Sequence, residues 1–174
     1  MKFSKLLFLS FLTLLIVSCS KDDDSKTSND TSATLVGSWK ATDFSYESKS
    51  RTEGQGTTIE SESTGVAKDL DIVVEFSDDP NTYQVDADYI LEVTTESSGQ
   101  TIVQEYPIQY TGSGSWNREG DVLKVMVDNQ ENEAEITKLT ANTLTYVTTE
   151  TQTQTQNEIT TTVEITETTT FTRQ

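Results

Sequence analysis

The chain of 174 residues contains no histidine, one cysteine and two prolines. Without an imidazole there is no Ser-His or Cys-His nucleophile and no ordinary zinc site. The lone thiol, Cys19, leaves no partner for an internal disulfide, so the fold must rest on its core. Basic residues are also scarce: 12 Lys and Arg stand against 29 Asp and Glu, a net charge of −17. A nucleic-acid role is excluded, because Lys and Arg must replace phosphate counterions there. The same balance argues against docking on anionic lipid head groups. No glycine loop that cradles phosphate and no dinucleotide fingerprint occurs. The longest apolar run, Leu6–Val17, falls short of the roughly 18 residues that cross a bilayer.

That run is nonetheless informative. Lys2 and Lys5 precede it, and Ile16-Val17-Ser18-Cys19 ends it. A basic start, a short greasy segment and a small residue before a cut make a secretory signal rather than a membrane span. The pattern resembles a bacterial lipobox. The resemblance implies that Cys19 becomes the mature N-terminus and carries a thioether diacylglycerol and an amide-linked acyl chain. At about 0.8 kcal/mol per buried methylene, two chains suffice for stable anchoring, so the membrane is the first expected partner. Removing Met1–Ser18 leaves 10 basic against 29 acidic residues, a net charge of −19, which favours solubility and self-repulsion at a crowded surface. Ser20-Lys21-Asp22-Asp23-Asp24 resembles the signal that sends lipoproteins to the outer face of the outer membrane in one large group of Gram-negative bacteria. The other reading is a solvated acidic tether on a periplasm-facing protein. The expected location is the bacterial outer membrane, lipid-anchored, with the domain displayed at the cell surface.

Three regions follow: residues 1–18 as signal peptide, 19–34 as lipidated cysteine and polar tether, and 35–174 as one domain. Period-two alternation dominates the domain and helical periodicity is nearly absent. Leu70, Ile72, Val74 and Phe76 alternate with polar residues until the turn Asp78-Asp79-Pro80-Asn81. Val85, Ala87, Tyr89, Leu91 and Val93 lead to Ser97-Ser98-Gly99, and Ile102, Tyr106, Ile108 and Tyr110 return. Pro107 removes a ladder donor, which predicts an edge or a bulge. Trp116 precedes an expected turn over Asn117–Asp121; Leu123–Val127 and Ile136–Leu139 follow, with a turn expected over Asp128–Asn132. The last two strands, about Thr143–Thr155 and Glu158–Arg173, are rich in threonine, a good strand residue that tolerates water. A projecting hairpin is favoured here over a disordered Thr-Gln tract. At the front, Leu35 to about Ser50 and Thr57–Thr64 flank a turn at Gly54 and Gly56. This predicts an all-β fold, a single antiparallel up-and-down barrel of about 8–10 strands, nine or ten on this reading. A Greek-key sandwich is the other option.

Gly37-Ser38-Trp39 opens the first strand and Phe171-Thr172-Arg173 closes the last. This arrangement resembles the lipocalin superfamily, in particular the lipocalin-like domains of bacterial lipoproteins. The resemblance implies that Gly37 and Trp39 form the barrel floor and that Arg173 packs over the indole. Guanidinium over indole is a cation–π contact of roughly 0.5–2 kcal/mol, and it ties the first strand to the last. Gly114-Ser115-Trp116 followed by Gly120-Asp121-Val122-Leu123 is a weaker likeness of the same kind.

The chemistry expected of the domain is binding. Carboxylate pairs are plentiful, yet among 29 acids some lie close by chance, so a glycosidase is not favoured and no catalytic residue is assigned. Asp86 and Asp88 share a strand face, and Asp78, Asp79 and Asn81 crowd a turn, but none has the spacing of a calcium loop. No metal and no cofactor is expected. Tyr46, Tyr89, Tyr106, Tyr110, Trp116 and Tyr146 either line a cavity with apolar bodies and polar tips or fill a packed core. The favoured function is a non-catalytic, membrane-anchored domain binding a small amphipathic or glycan-like ligand. The alternative is an interaction module with a filled barrel, contacting a protein of unknown identity through its Thr-rich hairpin.

Overall fold

A computed structural model of the protein describes residues 33–127 and 130–174. The signal segment 1–18, Cys19 and the acidic run Ser20–Asp24 lie outside the described residues. Eight strands follow one another: β1 (Gly37–Gly54), β2 (Thr57–Ser77), β3 (Thr82–Ser97), β4 (Gln100–Glu119), β5 (Val122–Val127), β6 (Gln130–Leu139), β7 (Thr143–Gln156) and β8 (Ile159–Arg173). Each pairs antiparallel with the next, and β8 returns to β1 to close an up-and-down barrel. Strictly consecutive pairing rules out the Greek-key sandwich.

The strand count is eight rather than nine or ten. Thr57–Thr64 and Leu70–Phe76 are two parts of one 21-residue strand, β2. Asp69, at φ 51°, sits in the left-handed region where β2 shifts register against β3 between Lys68 and Asp71. A bulge of this kind breaks the alternation without ending the ladder, and Asp tolerates the backbone angle. Asn117–Glu119 likewise continue β4, so the expected turn there contracts to Gly120-Asp121. The turn expected over Asp128–Asn132 is shorter too, because β6 already begins at Gln130. Pro107 faces Ile90 in an unshifted β3–β4 ladder, so the proline lies at an edge and not in a bulge.

The strands differ greatly in length, and this shapes the molecule. β5 has 6 residues and β6 has 10, against 14 to 21 in the others. Thus β4 pairs with β5 only over Gly114–Glu119, and β7 with β6 only over Leu144–Val147. Beyond these points Gln100–Ser113 of β4 pairs with β3 alone, and Thr148–Gln156 of β7 with β8 alone. The ring is complete at one end. At the other, a curved wall of six strands rises past the β5–β6 turn and leaves a gap between two free edges.

The complete end is packed. Leu35, Trp39, Val74, Phe76, Leu123, Ile136, Leu139, Leu144 and Phe171 are each at most 2% exposed. Side chains of this size contribute about 1.5–3 kcal/mol each when buried. Arg173 seals this floor. Its guanidinium carbon lies 4.0 Å from the centre of the Trp39 ring. Its three nitrogens donate to the carbonyls of Ala141 at 2.7 Å, Val36 at 2.7 Å and Thr34 at 2.6 Å. Trp39 Nε1 donates to the Leu35 carbonyl at 2.8 Å. Gly37, at φ 131°, occupies a conformation that suits glycine, and a Cβ there would run into the Arg173 guanidinium.

Candidate functional site

Above the floor, the inner face changes from phenylalanine to tyrosine. Tyr89 leans on Phe44 with ring centres 5.4 Å apart, Tyr83 on Phe76 at 5.4 Å, and Tyr146 on Phe171 at 5.3 Å. Each tyrosine thus rests its apolar body on a core phenylalanine, the usual compromise for a ring with one polar end. Two adjoining hollows open above this layer. One, about 260 Å³, is lined by Phe76, Tyr83, Tyr110, Leu123, Val125, Val127, Ala134 and Tyr146. The other, about 460 Å³, is lined by Tyr46, Glu131, Thr149, Glu150, Ile165 and Glu167. Asn132, Glu133 and Thr148 belong to both. The short β5–β6 pair forms the sill of this mouth.

The six aromatics expected from sequence all lie on the inner face but divide into three groups. Tyr46, Tyr110 and Tyr146 line the mouth. Tyr89 and Trp116 pack against the core: Trp116 stands edge-on to Phe76 at 5.7 Å and donates Nε1 to the Ser77 carbonyl at 2.9 Å. Tyr106 sits high on the free stretch of β4, where its hydroxyl donates to Gln104 at 2.9 Å, and lines neither hollow. The cavity and the packed core are therefore both present, one above the other.

Two residues that the sequence reading passed over complete the site. Tyr83 lines the smaller hollow, and burial together with its neighbour Tyr110 pushes its phenol up to about 12. Glu167 lies in the row Tyr46–Glu167–Thr148 across β1, β8 and β7. Burial pushes its carboxyl up, and the charge of Glu150 adds to this. Its hydrogen-bond partner is the Thr148 hydroxyl, which donates at 3.4 Å. Burial also raises the phenols of Tyr89 and Tyr146, with Glu167 adding to both. These phenols stay protonated at neutral pH, and those of Tyr83 and Tyr146 offer O–H donors to the smaller hollow. Both residues were visible in phase: Tyr83 alternates with Val85 and Ala87, and Glu167 with Ile165 and Phe171.

The outer surface offers less. A hollow of about 780 Å³ lies along Val73, Glu75, Gln84, Asp86, Thr111 and Ser113. It is an open concavity of the twisted sheet with no aromatic lining. Asp86 and Asp88 stand on this outer face, Asp88 accepting from Gln109 at 3.0 Å. Among the described residues no group of three acidic, cysteine or histidine side chains could hold a metal ion. Along β2 the outer face carries the exposed charges Glu60, Glu62, Lys68, Asp71 and Glu75. Such a face suits water and not lipid tails.

Fold and site together define an eight-stranded up-and-down barrel with a packed floor and an aromatic, acidic mouth. The chain matches no protein-family model, and no curated protein matches it. Solved structures similar to it include Ail, the attachment invasion locus protein of Yersinia pestis, at 8% identity and a TM-score of 0.24, covering 79% of this chain and 99% of that one. A polyisoprenoid-binding domain from Saccharophagus degradans, implicated in plant cell wall breakdown, matches at 8% identity and a TM-score of 0.26, covering 78% of this chain and 98% of that one. Likenesses this distant carry no information about ligand or location.

Proposed function

We propose that this is a lipid-anchored, non-catalytic binding protein of the bacterial outer membrane, whose barrel mouth takes a small amphipathic ligand. The observation that supports this is the pair of adjoining hollows, about 260 and 460 Å³, over a fully packed floor. The smaller hollow is mostly apolar and the larger brings together hydroxyl, amide and carboxylate groups, and apolar space beside convergent polar groups is what small-molecule sites are made of. The apolar end of a ligand fits among Val125, Val127 and Tyr146, and its polar end meets Tyr46 and Glu167. Orientation supports the same reading. The described chain starts at the floor, beside Leu35 and Trp39, and the mouth opens at the opposite end of the barrel.

One observation favours a second reading. Thr148–Gln156 of β7 has a free edge, to which an extended segment of a partner protein can add as a strand. Native mass spectrometry of the protein recovered from its own host membrane separates the two. A defined small adduct, lost on denaturation, is the expected result. A bare mass accompanied by a stoichiometric protein partner would favour the edge.

A further inference from the structure

We propose that a second copy of this chain closes the gap above β5 and β6, each copy's free β4 edge pairing with the other's free β7 edge. The inference rests on the free-edge reading above and names the occupant. The first ground is direction. In the up-and-down ring β4 and β7 run opposite ways, as the two halves of an antiparallel ladder must. A two-fold rotation about an axis parallel to the barrel, in front of the gap, sets each β4 edge against the other copy's β7 edge, whatever the gap's width. The two six-stranded walls then close into one ring with both floors at the same end. Pairing β7 with β7 would turn the floors to opposite ends, whereas the proposed anchors, held in one membrane, call for the same end.

The second ground is the make-up of the edges. The chain repels itself at a net charge of −17, yet Gln100–Ser113 and Thr148–Gln156 carry one charge each, Glu105 and Glu150. Neither stretch contains lysine, a common guard of exposed edges, and neither the β3–β4 nor the β7–β8 ladder shifts register. The free part of β4 exposes Ile102, Val103, Tyr106 and Tyr110. Tyr110 also walls the smaller hollow, so the mouth lacks one side until the second copy supplies it. The hairpin turns fix the bonding. Ser98-Gly99 and Asn157-Glu158 are two-residue turns at positive φ, so the flanking pairs Ser97–Gln100 and Gln156–Ile159 are hydrogen-bonded ones. Odd-numbered residues of β4 and β7 therefore aim their backbone groups into the gap. Pro107 is odd, and its missing N–H takes nothing from the β3–β4 ladder. With the two tips level, Val103 lies opposite Thr153 of the second copy, Glu105 opposite Thr151 and Tyr106 opposite Glu150, so no acid meets an acid.

Cysteine pairing on the full-length protein in its host membrane tests this, since Cys19 is the one native cysteine. The double variant Val103→Cys, Thr153→Cys should give a disulfide-linked dimer on mild oxidation, and either single variant none. Light scattering of the purified protein should show the dimer mass. Thr153→Pro removes an N–H aimed into the gap and none from the β7–β8 ladder, so it should weaken the dimer about tenfold or more with an unchanged circular dichroism spectrum. Dilution that separates the copies should leave the β7 edge bare. A dimer from Thr153→Cys alone would mean that β7 pairs with β7, and a disulfide within one copy would mean that the gap closes on itself; either overturns the proposal. A monomer that carries a different protein on this edge overturns the second copy and spares the edge reading. A monomer with no partner removes both.

Discussion

At the scale of single residues, the floor and the mouth make opposite demands. Trp39 is fully buried, stacked under Arg173 and hydrogen-bonded to Leu35. Trp39→Ala should therefore destabilise the protein by about 3–5 kcal/mol in urea titrations, and an unchanged midpoint would deny the floor its role. Glu167 is the reverse case, a group that costs stability where it is ionised. Its folded carboxyl lies above the ordinary value of 4.5, so the native state binds the proton more tightly than the unfolded chain. This contribution favours folding at low pH and is lost as pH rises from the ordinary value through the raised one. Glu167→Gln should thus gain thermal stability over the wild type progressively as pH rises above the ordinary carboxyl value of 4.5. A melting-temperature difference independent of pH would contradict the assignment. Sequence made the two residues unequally legible. Trp39 and Arg173 stand out by type and position, whereas Glu167 is one of many acids in a Thr-Glu alternation. Only its phase with Ile165 and Phe171 places it inside.

At the scale of elements, alternation was a reliable guide to faces and a poor guide to ends. Ile72, Val74 and Phe76 of β2 and Val85, Ala87 and Tyr89 of β3 share the inner face as their alternation requires, because register fixes which side chains meet, while Val66, Val73 and Val103, which fall out of that phase, stand on the outer face. Bulges defeated the count: the slip near Asp69 mimics a strand break while the pairing continues beyond it. The gap above β5 and β6 also escaped notice, because it follows from unequal lengths of neighbouring strands and not from any one segment. That inequality predicts unequal stability. The tip of the β7–β8 hairpin is held by its ladder and by exposed threonine pairs such as Thr155–Thr160 at 3.0 Å. The floor has strands on both sides and a buried core. In the monomer, amide exchange should be slowest around Trp39, Val74 and Phe171 and faster by orders of magnitude over Thr149–Gln156 of β7, which pairs on one side only. Uniform protection would mean that the hairpin is stabilised by something the barrel does not show.

For the molecule as a whole, charge and anchoring bear on where the barrel works. With 29 acidic residues and an outer face studded with carboxylates, the domain should stay clear of anionic surfaces, and the proposed lipid on Cys19 would then be what attaches it. Cys19→Ala should move the protein from the membrane to the soluble fraction of host cells; retention in the membrane would contradict lipid anchoring. The central claim is that this barrel holds its ligand in the mouth between the tyrosine layer and Glu167, above a floor that ligand never reaches. Amide chemical-shift mapping of the isotopically labelled protein with dodecyl maltoside, an uncharged amphiphile, below its micelle concentration tests it most directly. The account predicts shifts clustered at Tyr46, Tyr110, Tyr146 and Glu167, with Leu35, Trp39 and Phe171 unmoved. Shifts confined to the outer face or to the tip of the β7–β8 hairpin would contradict it.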